Sequence, residues 1–150
     1  MPALIFVDTN VPIYAAGRPH PLEDPCREVL GLIGDYPERF ITSAEVLQEL
    51  LHRYLALRMW PQGRALLYDF AELMEDRIAP VSAEDVRRAA ALADRYDIGA
   101  SARDLLHIAV MKRLGAEFIA SADRGLDGFS EVRRLDPENV ATWAAKLVAG

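Results

Sequence analysis

The sequence predicts an α/β fold built on a parallel central sheet, and three observations carry that expectation. Short runs rich in Val, Ile and Phe recur at Leu4–Val7, Arg39–Thr42, Ile78–Val81 and Glu117–Ala120, and Val132-Arg133-Arg134-Leu135 reads as a short fifth strand. The stretches between most of them carry apolar residues at helical spacing. The first run ends in a carboxylate, a hydroxyl and an amide (Asp8-Thr9-Asn10), and a new apolar segment starts at once. Strands alternating with helices argue a parallel sheet with helices on both faces. Ligands of such sheets gather at the carboxyl edge of the strands, where Asp8 would stand.

Each element has its own justification. After the strand at Leu4–Val7, Val11–Ala16 reads as a short helix capped by Asn10, with Pro12 in its first turn. Gly17-Arg18-Pro19-His20-Pro21 reads as an exposed loop. A helix from Pro25 to about Ile33 carries Cys26, Val29, Leu30 and Ile33 on one stripe, with Gly34 marking its end. Beyond the second strand, Thr42 and Glu45 have capping-box spacing. The helix they would open runs over Ala44–Arg58, with Val46, Leu47, Leu50, Leu51, Tyr54 and Leu55 facing inward. Glu45 and Glu49 fall off that stripe.

Trp60-Pro61 reads as a break before a helix over Gly63–Met74. Pro80 cannot donate to a ladder, which places the third strand at an edge. Ser82 caps a helix over Ala83–Tyr96, and Ser101 caps another over Ala102–Leu114. This second helix is apolar almost all round, which predicts burial, and it sets Asp104, His107 and Met111 on one line. Gly115 stops it, and Asp136-Pro137 opens a terminal helix through Val148.

A chain of 150 residues, half of them hydrophobic, is long enough to fold as one domain over residues 1–150. No apolar run reaches the roughly 18–20 residues that span a bilayer, and no signal-peptide layout precedes the first strand. The single Cys26 excludes an intrachain disulfide, which fits a reducing cytoplasm. The net charge of −6 argues weakly against a general nucleic-acid binder. That argument fails if grouped carboxylates hold divalent cations, which reverse the local field.

Three acids stand where burial is expected: Asp8 after the first strand, Asp123 after the fourth, and Asp104 in the first turn of the buried helix. Unpaired buried carboxylates must meet cations, accept strong hydrogen bonds or stay protonated. A divalent ion is an economical partner, and oxygen ligation favours Mg²⁺ or Mn²⁺ over Zn²⁺. Each acid also has a plainer explanation. Asp104 completes a capping box with Ser101, Asp8 caps the next helix or closes a turn, Glu49 pairs with Arg53 one turn on, and Asp123 or Asp127 is an ordinary loop acid in a segment with two glycines. His107, one turn after Asp104, reads as a core histidine or as one bonded to an acid, ahead of a proton carrier. Cys26 reads as core, and Trp60 and Trp143 as core or interface anchors.

Four blocks stand in order along the chain: Asp8-Thr9-Asn10, Ser43-Ala44-Glu45-Val46-Leu47-Gln48-Glu49-Leu50, Arg103-Asp104-Leu105-Leu106-His107-Ile108-Ala109, and Ser121-Ala122-Asp123. Together they resemble the motifs of PIN-domain ribonucleases, and among these the VapC-type toxins. The resemblance implies a PIN-like three-layer α/β/α sandwich, its five parallel strands ordered 3-2-1-4-5. It implies an acidic quartet of Asp8, Glu49, Asp104 and Asp123, with Glu45 a rival to Glu49. Thr9, Asn10 and Ser121 would support the quartet, and Asp127 is a candidate outer acid. The implied activity is endoribonuclease cleavage through one or two Mg²⁺ or Mn²⁺ ions and an activated water. Arg18, Arg53, Arg103 and Arg124 are candidates for holding RNA phosphates. The resemblance also implies a cognate antitoxin and a homodimer.

Two enzyme or signalling classes compete. A haloacid-dehalogenase-type phosphatase wants a second acid two residues after the first, where this chain has Asn10. A receiver-like domain wants a lysine after a late strand, and none stands there. A non-catalytic module that keeps the acids as a relic, or binds Mg²⁺ without cleaving, is the remaining alternative.

Overall fold

The computed structural model describes residues 2–96 and 99–149. Its centre is β1 (Ile5–Val7), whose three side chains are wholly shielded from solvent. Such a strand must be covered on both faces and paired on both edges, and it is. β2 (Phe40–Ser43) pairs with it in parallel at Ile5–Phe40 and Phe6–Ile41. On the other side β4 (Phe118–Ala120) pairs at Ile5–Phe118, Phe6–Ile119 and Val7–Ala120. With β3 (Ile78–Ala79) and β5 (Arg133–Leu135) outside them, the order is β3-β2-β1-β4-β5, all parallel. The expected sheet order and the edge position of the third strand are both found.

The connections explain the layers. From β1 the chain runs through α1 (Asn10–Ala16) and α2 (Glu23–Asp35) to β2, then through α3 (Ala44–Ala56) and α4 (Trp60–Met74) to β3. It returns through α5 (Ala83–Ala93) and α6 (Ala102–Leu114) to β4 beyond β1. Parallel crossovers are right-handed, so reversing direction across the sheet sends the helices to its opposite face. The reversal lies between β1 and β4, so the connections that leave their carboxyl ends diverge to opposite faces of the sheet and open a crevice there. After β5 a 3₁₀ turn at Pro137–Asn139 leads into α7 (Val140–Leu147), which packs on α2 and buries Trp143. Among the described residues no helix is long and apolar enough to cross a membrane.

Local chemistry sets the helix ends. Ser82 and Asp85 form a reciprocal capping box on α5, and Ser101 Oγ accepts the Asp104 N–H at 3.1 Å to cap α6. Gly115, at φ 75°, closes α6 in the left-handed region as the sequence predicts.

Several expected boundaries are corrected. Asn10 is not a cap; it lies inside α1 and spends its amide on the site. The box of Thr42 with Glu45 does not form, because Thr42 Oγ1 donates to the Val7 carbonyl at 2.9 Å and holds β2 to β1. Gly34 does not stop α2, which runs through it to Asp35. Trp60-Pro61 is a start, not a break: Pro61 needs no N–H partner in the first turn of α4. The third strand stops at Ala79, because Pro80 turns its carbonyl to Arg113.

The buried stripe of α3 is also rotated from the expected one. It comprises Val46, Glu49, Leu50 and Tyr54, leaving Leu51 and Leu55 exposed. This helix starts at the sheet's carboxyl edge, so the face turned toward β1 includes the acid as well as the aliphatics.

Candidate active site

Asp8 extends the β1 ladder by one bond, its N–H donating to the Ala120 carbonyl at 3.1 Å. That bond fixes where the carboxylate emerges, and only 7% of the residue reaches solvent. Asp8 Oδ1 accepts the Thr9 N–H at 2.7 Å. Asp8 Oδ2 accepts the Ser121 hydroxyl at 2.7 Å and the Asn10 amide at 3.3 Å. Ser121 Oγ in turn accepts from Asn10 Nδ2 at 3.0 Å and from the Asp123 N–H at 3.0 Å. The hydroxyl's one hydrogen and both lone pairs are thus used. Asn10 Oδ1 takes the Ala122 N–H at 3.1 Å, completing a clasp between the ends of β1 and β4.

Across the crevice, α3 presents Glu49, itself only 8% exposed. The solvated pairing of Glu49 with Arg53 is therefore overturned. Glu49 Oε2 accepts the Thr9 hydroxyl at 2.9 Å and lies 3.4 Å from Arg103 Nη1, while Oε1 meets His107 Nε2 at 2.8 Å. Asp104, half-buried at the first turn of α6, joins Asp8, Glu49 and Asp123 in lining one cavity of about 190 Å³. Asp123 is exposed, contrary to the burial expected of it, because it opens a 3₁₀ turn and accepts the Gly125 N–H at 2.9 Å.

The electrostatics follow from this crowding. Burial pushes the Asp8 carboxyl above its ordinary value, and the nearby Glu49 charge adds to that; His107, Ser121 and the Thr9 N–H oppose it. Asp104 is raised by burial and then by the charges of Asp123 and Asp8. Burial acts on Glu49 in the same direction, but the His107 bond, the Thr9 hydroxyl and Arg103 together prevail and lower it. Burial resists charge on His107, yet the Glu49 bond and the Asp8 charge outweigh it and raise its pKa.

Two acids that resist ionisation beside two more make a pocket of negative charge in want of a cation. Asp8, Glu49 and His107 offer ligand atoms within 4.8 Å of one another, and Asp104 and Asp123 add carboxylates to the same wall. The donor set is almost entirely oxygen, which suits a hard divalent ion.

The other candidates divide. Thr9, Asn10 and Ser121 all bond to the quartet. Glu45 is half-buried and makes none of these bonds; burial and the Glu49 charge raise its pKa. Asp127 turns away to Arg134 at 2.9 Å, and Arg134 in turn donates to the Ser121 carbonyl at 3.1 Å. Arg53 and Arg103 line the cavity; Arg18 and Arg124 are exposed and stand outside its walls. His107 is the buried, acid-bonded histidine that the sequence predicts, its partner being Glu49 and not Asp104. It is 1% exposed, tilted against the Phe6 ring at 5.2 Å, and 3.8 Å from Asp8 Oδ1. The line it shares with Asp104 along α6 was the available signal. His52, without motif support, also lines the cavity.

Comparison with known proteins gives a consistent picture. The PIN-domain family profile matches residues 5–135. Ribonuclease VapC23 of Mycobacterium tuberculosis is 44% identical over 126 residues, covering 82% of this chain and 95% of that protein. Among solved structures, VapC20 of Mycobacterium tuberculosis, a sarcin–ricin loop cleaving toxin, superposes with a TM-score of 0.68 at 23% identity. That match covers 86% of this chain and 98% of its own. VapBC2 of Rickettsia felis, solved bound to a DNA fragment from its promoter, gives 0.68 at 18% identity over 89% of this chain and 99% of that one. At these identities the two structures speak to the fold.

Proposed function

The chain belongs to the PIN-domain family, beside the VapC ribonucleases, and from that premise we propose that it is a divalent-metal-dependent endoribonuclease, the toxin of a toxin–antitoxin pair. The observation that carries this reading is the convergence of Asp8, Glu49, Asp104 and Asp123 from four separate elements on one cavity. Nothing in packing requires that arrangement, and the raised pKa values of Asp8 and Asp104 make it costly.

These four acids would hold Mg²⁺ or Mn²⁺. When bound, the ion supplies Lewis acidity to a water nucleophile and to a phosphodiester. The chain's own part is positioning. Ser121 and Asn10 saturate one oxygen of Asp8, so its orientation is set before any ion arrives. Thr9 bridges the first acid to Glu49. Arg53 and Arg103 face the cavity as cations for the flanking phosphates of RNA, offsetting a chain that is acidic overall. Asn10, its amide committed to Asp8 and Ser121, offers no second acid of the kind a phosphatase needs.

We read residues 1–150 as one such domain, of which Met1, Asp97, Ile98 and Gly150 lie outside the described residues. Its place of action is the cytoplasm, where RNA is the substrate. An antitoxin and a second copy of the chain are the proposed partners. The exposed Leu51, Leu55, Leu57 and Tyr68 on α3, the turn after it and α4 supply apolar surface for such contacts.

The test is cleavage of RNA by the purified chain with Mg²⁺ or Mn²⁺, compared with chelator and with Asp8→Asn. Metal-dependent cleavage lost in the variant is expected. Cleavage that survives both chelator and Asp8→Asn overturns the assignment.

A further inference from the structure

Residue type alone would make His107 a metal ligand, since it shares the cavity with four acids and its Nε2 lies near two of them. The hydrogen bonds point elsewhere. Glu49 is surrounded by donors: the Thr9 hydroxyl and Arg103 on Oε2, and His107 Nε2 at 2.8 Å on Oε1. A carboxylate in that setting accepts, so His107 Nε2 carries the hydrogen. A histidine that binds metal through Nε2 must move that hydrogen to Nδ1, and ligating histidines nearly always donate it there to an acceptor. Here Nδ1 is buried and has no hydrogen-bond partner among the described residues. The ring is wedged against Phe6 on β1, so it cannot turn to find one without disturbing the core.

We infer that His107 is a positioning residue and not a metal ligand: its Nε2–H fixes one oxygen of Glu49, as Thr9 fixes the other, so that this carboxylate meets the cavity in a single orientation. The inference rests on the nuclease reading for its kinetic arm alone. It gives the histidine in Arg103-Asp104-Leu105-Leu106-His107 a role of its own, one helical turn behind the acid on the same line of α6.

The test uses the full chain, Mn²⁺ alone as the probe, and two variants. His107→Gln keeps an amide donor at about the reach of Nε2; His107→Leu removes it. In the Mn²⁺-loaded wild type, pulsed paramagnetic resonance should show no strong coupling from a directly coordinated nitrogen. His107→Leu should weaken Mn²⁺ binding by calorimetry and lower kcat by about 10- to 100-fold, with KM for RNA nearly unchanged. His107→Gln should recover most of both. A coordinated nitrogen signal overturns the inference, and so does His107→Gln falling as far as His107→Leu. Wild-type kcat and Mn²⁺ affinity in His107→Leu also overturn it. Should His107→Leu fail to fold, the resonance spectrum and His107→Gln still decide. A wild-type chain that binds Mn²⁺ but cuts no RNA overturns the nuclease reading and leaves the binding and resonance arms intact.

Discussion

Ser121 donates its hydroxyl to Asp8 at 2.7 Å, and that one bond ties the carboxyl end of β4 to the acid that ends β1. The same oxygen accepts from Asn10 and from the Asp123 N–H, so it orients two members of the quartet at once. Ser121→Ala leaves Asp8 Oδ2 with the longer Asn10 bond alone. Mn²⁺ affinity and RNA cleavage should each fall by about tenfold or more, with the fold retained. Calorimetry and a cleavage time course read this, and unchanged values in both would refute the orienting role.

The strained acid should also be visible in stability. Burial holds the folded pKa of Asp8 above its ordinary 3.8, so between those values the folded chain binds the proton that the unfolded chain releases. That contribution is complete below the unfolded pKa and is lost as pH rises through the folded one. Asp104 and His107, also raised, have the same sign. The metal-free chain should therefore melt at a lower temperature near about pH 8 than near about pH 5. Asp8→Asn should flatten that slope, and saturating Mn²⁺ should raise the wild-type melting temperature at the higher pH. Thermal melts in chelator across this range check it; a flat wild-type profile would remove the electrostatic premise.

A second carboxylate behaves in the opposite way. Asp85 is buried, caps α5 through Ser82, and takes a two-pronged bond from Arg113 at 2.8 and 3.0 Å, tying α5 to α6. The Arg113 bonds outweigh burial and draw its pKa down from 3.8 to about 2. This stability is present above the unfolded pKa and disappears as pH falls through the folded one. Asp85→Ala should cost about 2–4 kcal/mol in a urea melt at neutral pH, from the lost cap and charge-assisted bonds together. It should leave Mn²⁺ binding at the distant cavity unchanged.

Gly63 sits inside α4, where replacing glycine by alanine ordinarily adds about 1 kcal/mol to a helix. Here a Cβ would lie 2.2 Å from Tyr54 Cβ on α3, so the two backbones touch only because position 63 has no side chain. Gly63→Ala should instead destabilise by about 1–3 kcal/mol. A melt showing a gain would mean that the α3–α4 hairpin separates without cost.

The sheet was legible because most strands are short apolar runs and most helices are amphipathic, and both patterns follow from burial; β5 (Arg133-Arg134-Leu135) and the almost wholly apolar α6 are the exceptions. What periodicity could not show is where a polar side chain is buried by design. Glu49 looks like a surface residue because its helix has ample leucine to cover a core, yet the face turned inward carries the acid and leaves Leu51 and Leu55 outside. Asn10 and Thr42 have cap-forming chemistry, and local spacing cannot say that their hydrogen bonds go to distant strands. Asp8, Asp104 and Asp123 were legible as acids at element ends. That they share a cavity follows from strand order, which the motif resemblance implied and periodicity alone did not.

Arg103 allows substrate binding to be separated from the chemistry. Its guanidinium is more than half exposed and lies 3.4 Å from a Glu49 oxygen that Thr9 already holds, so the acid does not depend on it for position. With its guanidinium this open to water the pair is screened on one side, and little stability rests on it. A cation at the rim of an acidic cavity is nevertheless where a phosphate of the bound strand gains most. Arg103→Gln should raise KM for RNA by about three- to tenfold while kcat changes less, and the logarithmic salt slope of binding should shrink by about 0.7, the loss of one phosphate contact on a single strand. Arg18→Gln, outside the cavity walls, should leave both values as they were. Equal effects from the two variants would show that diffuse charge, not the placement of Arg103 beside Glu49, holds the substrate.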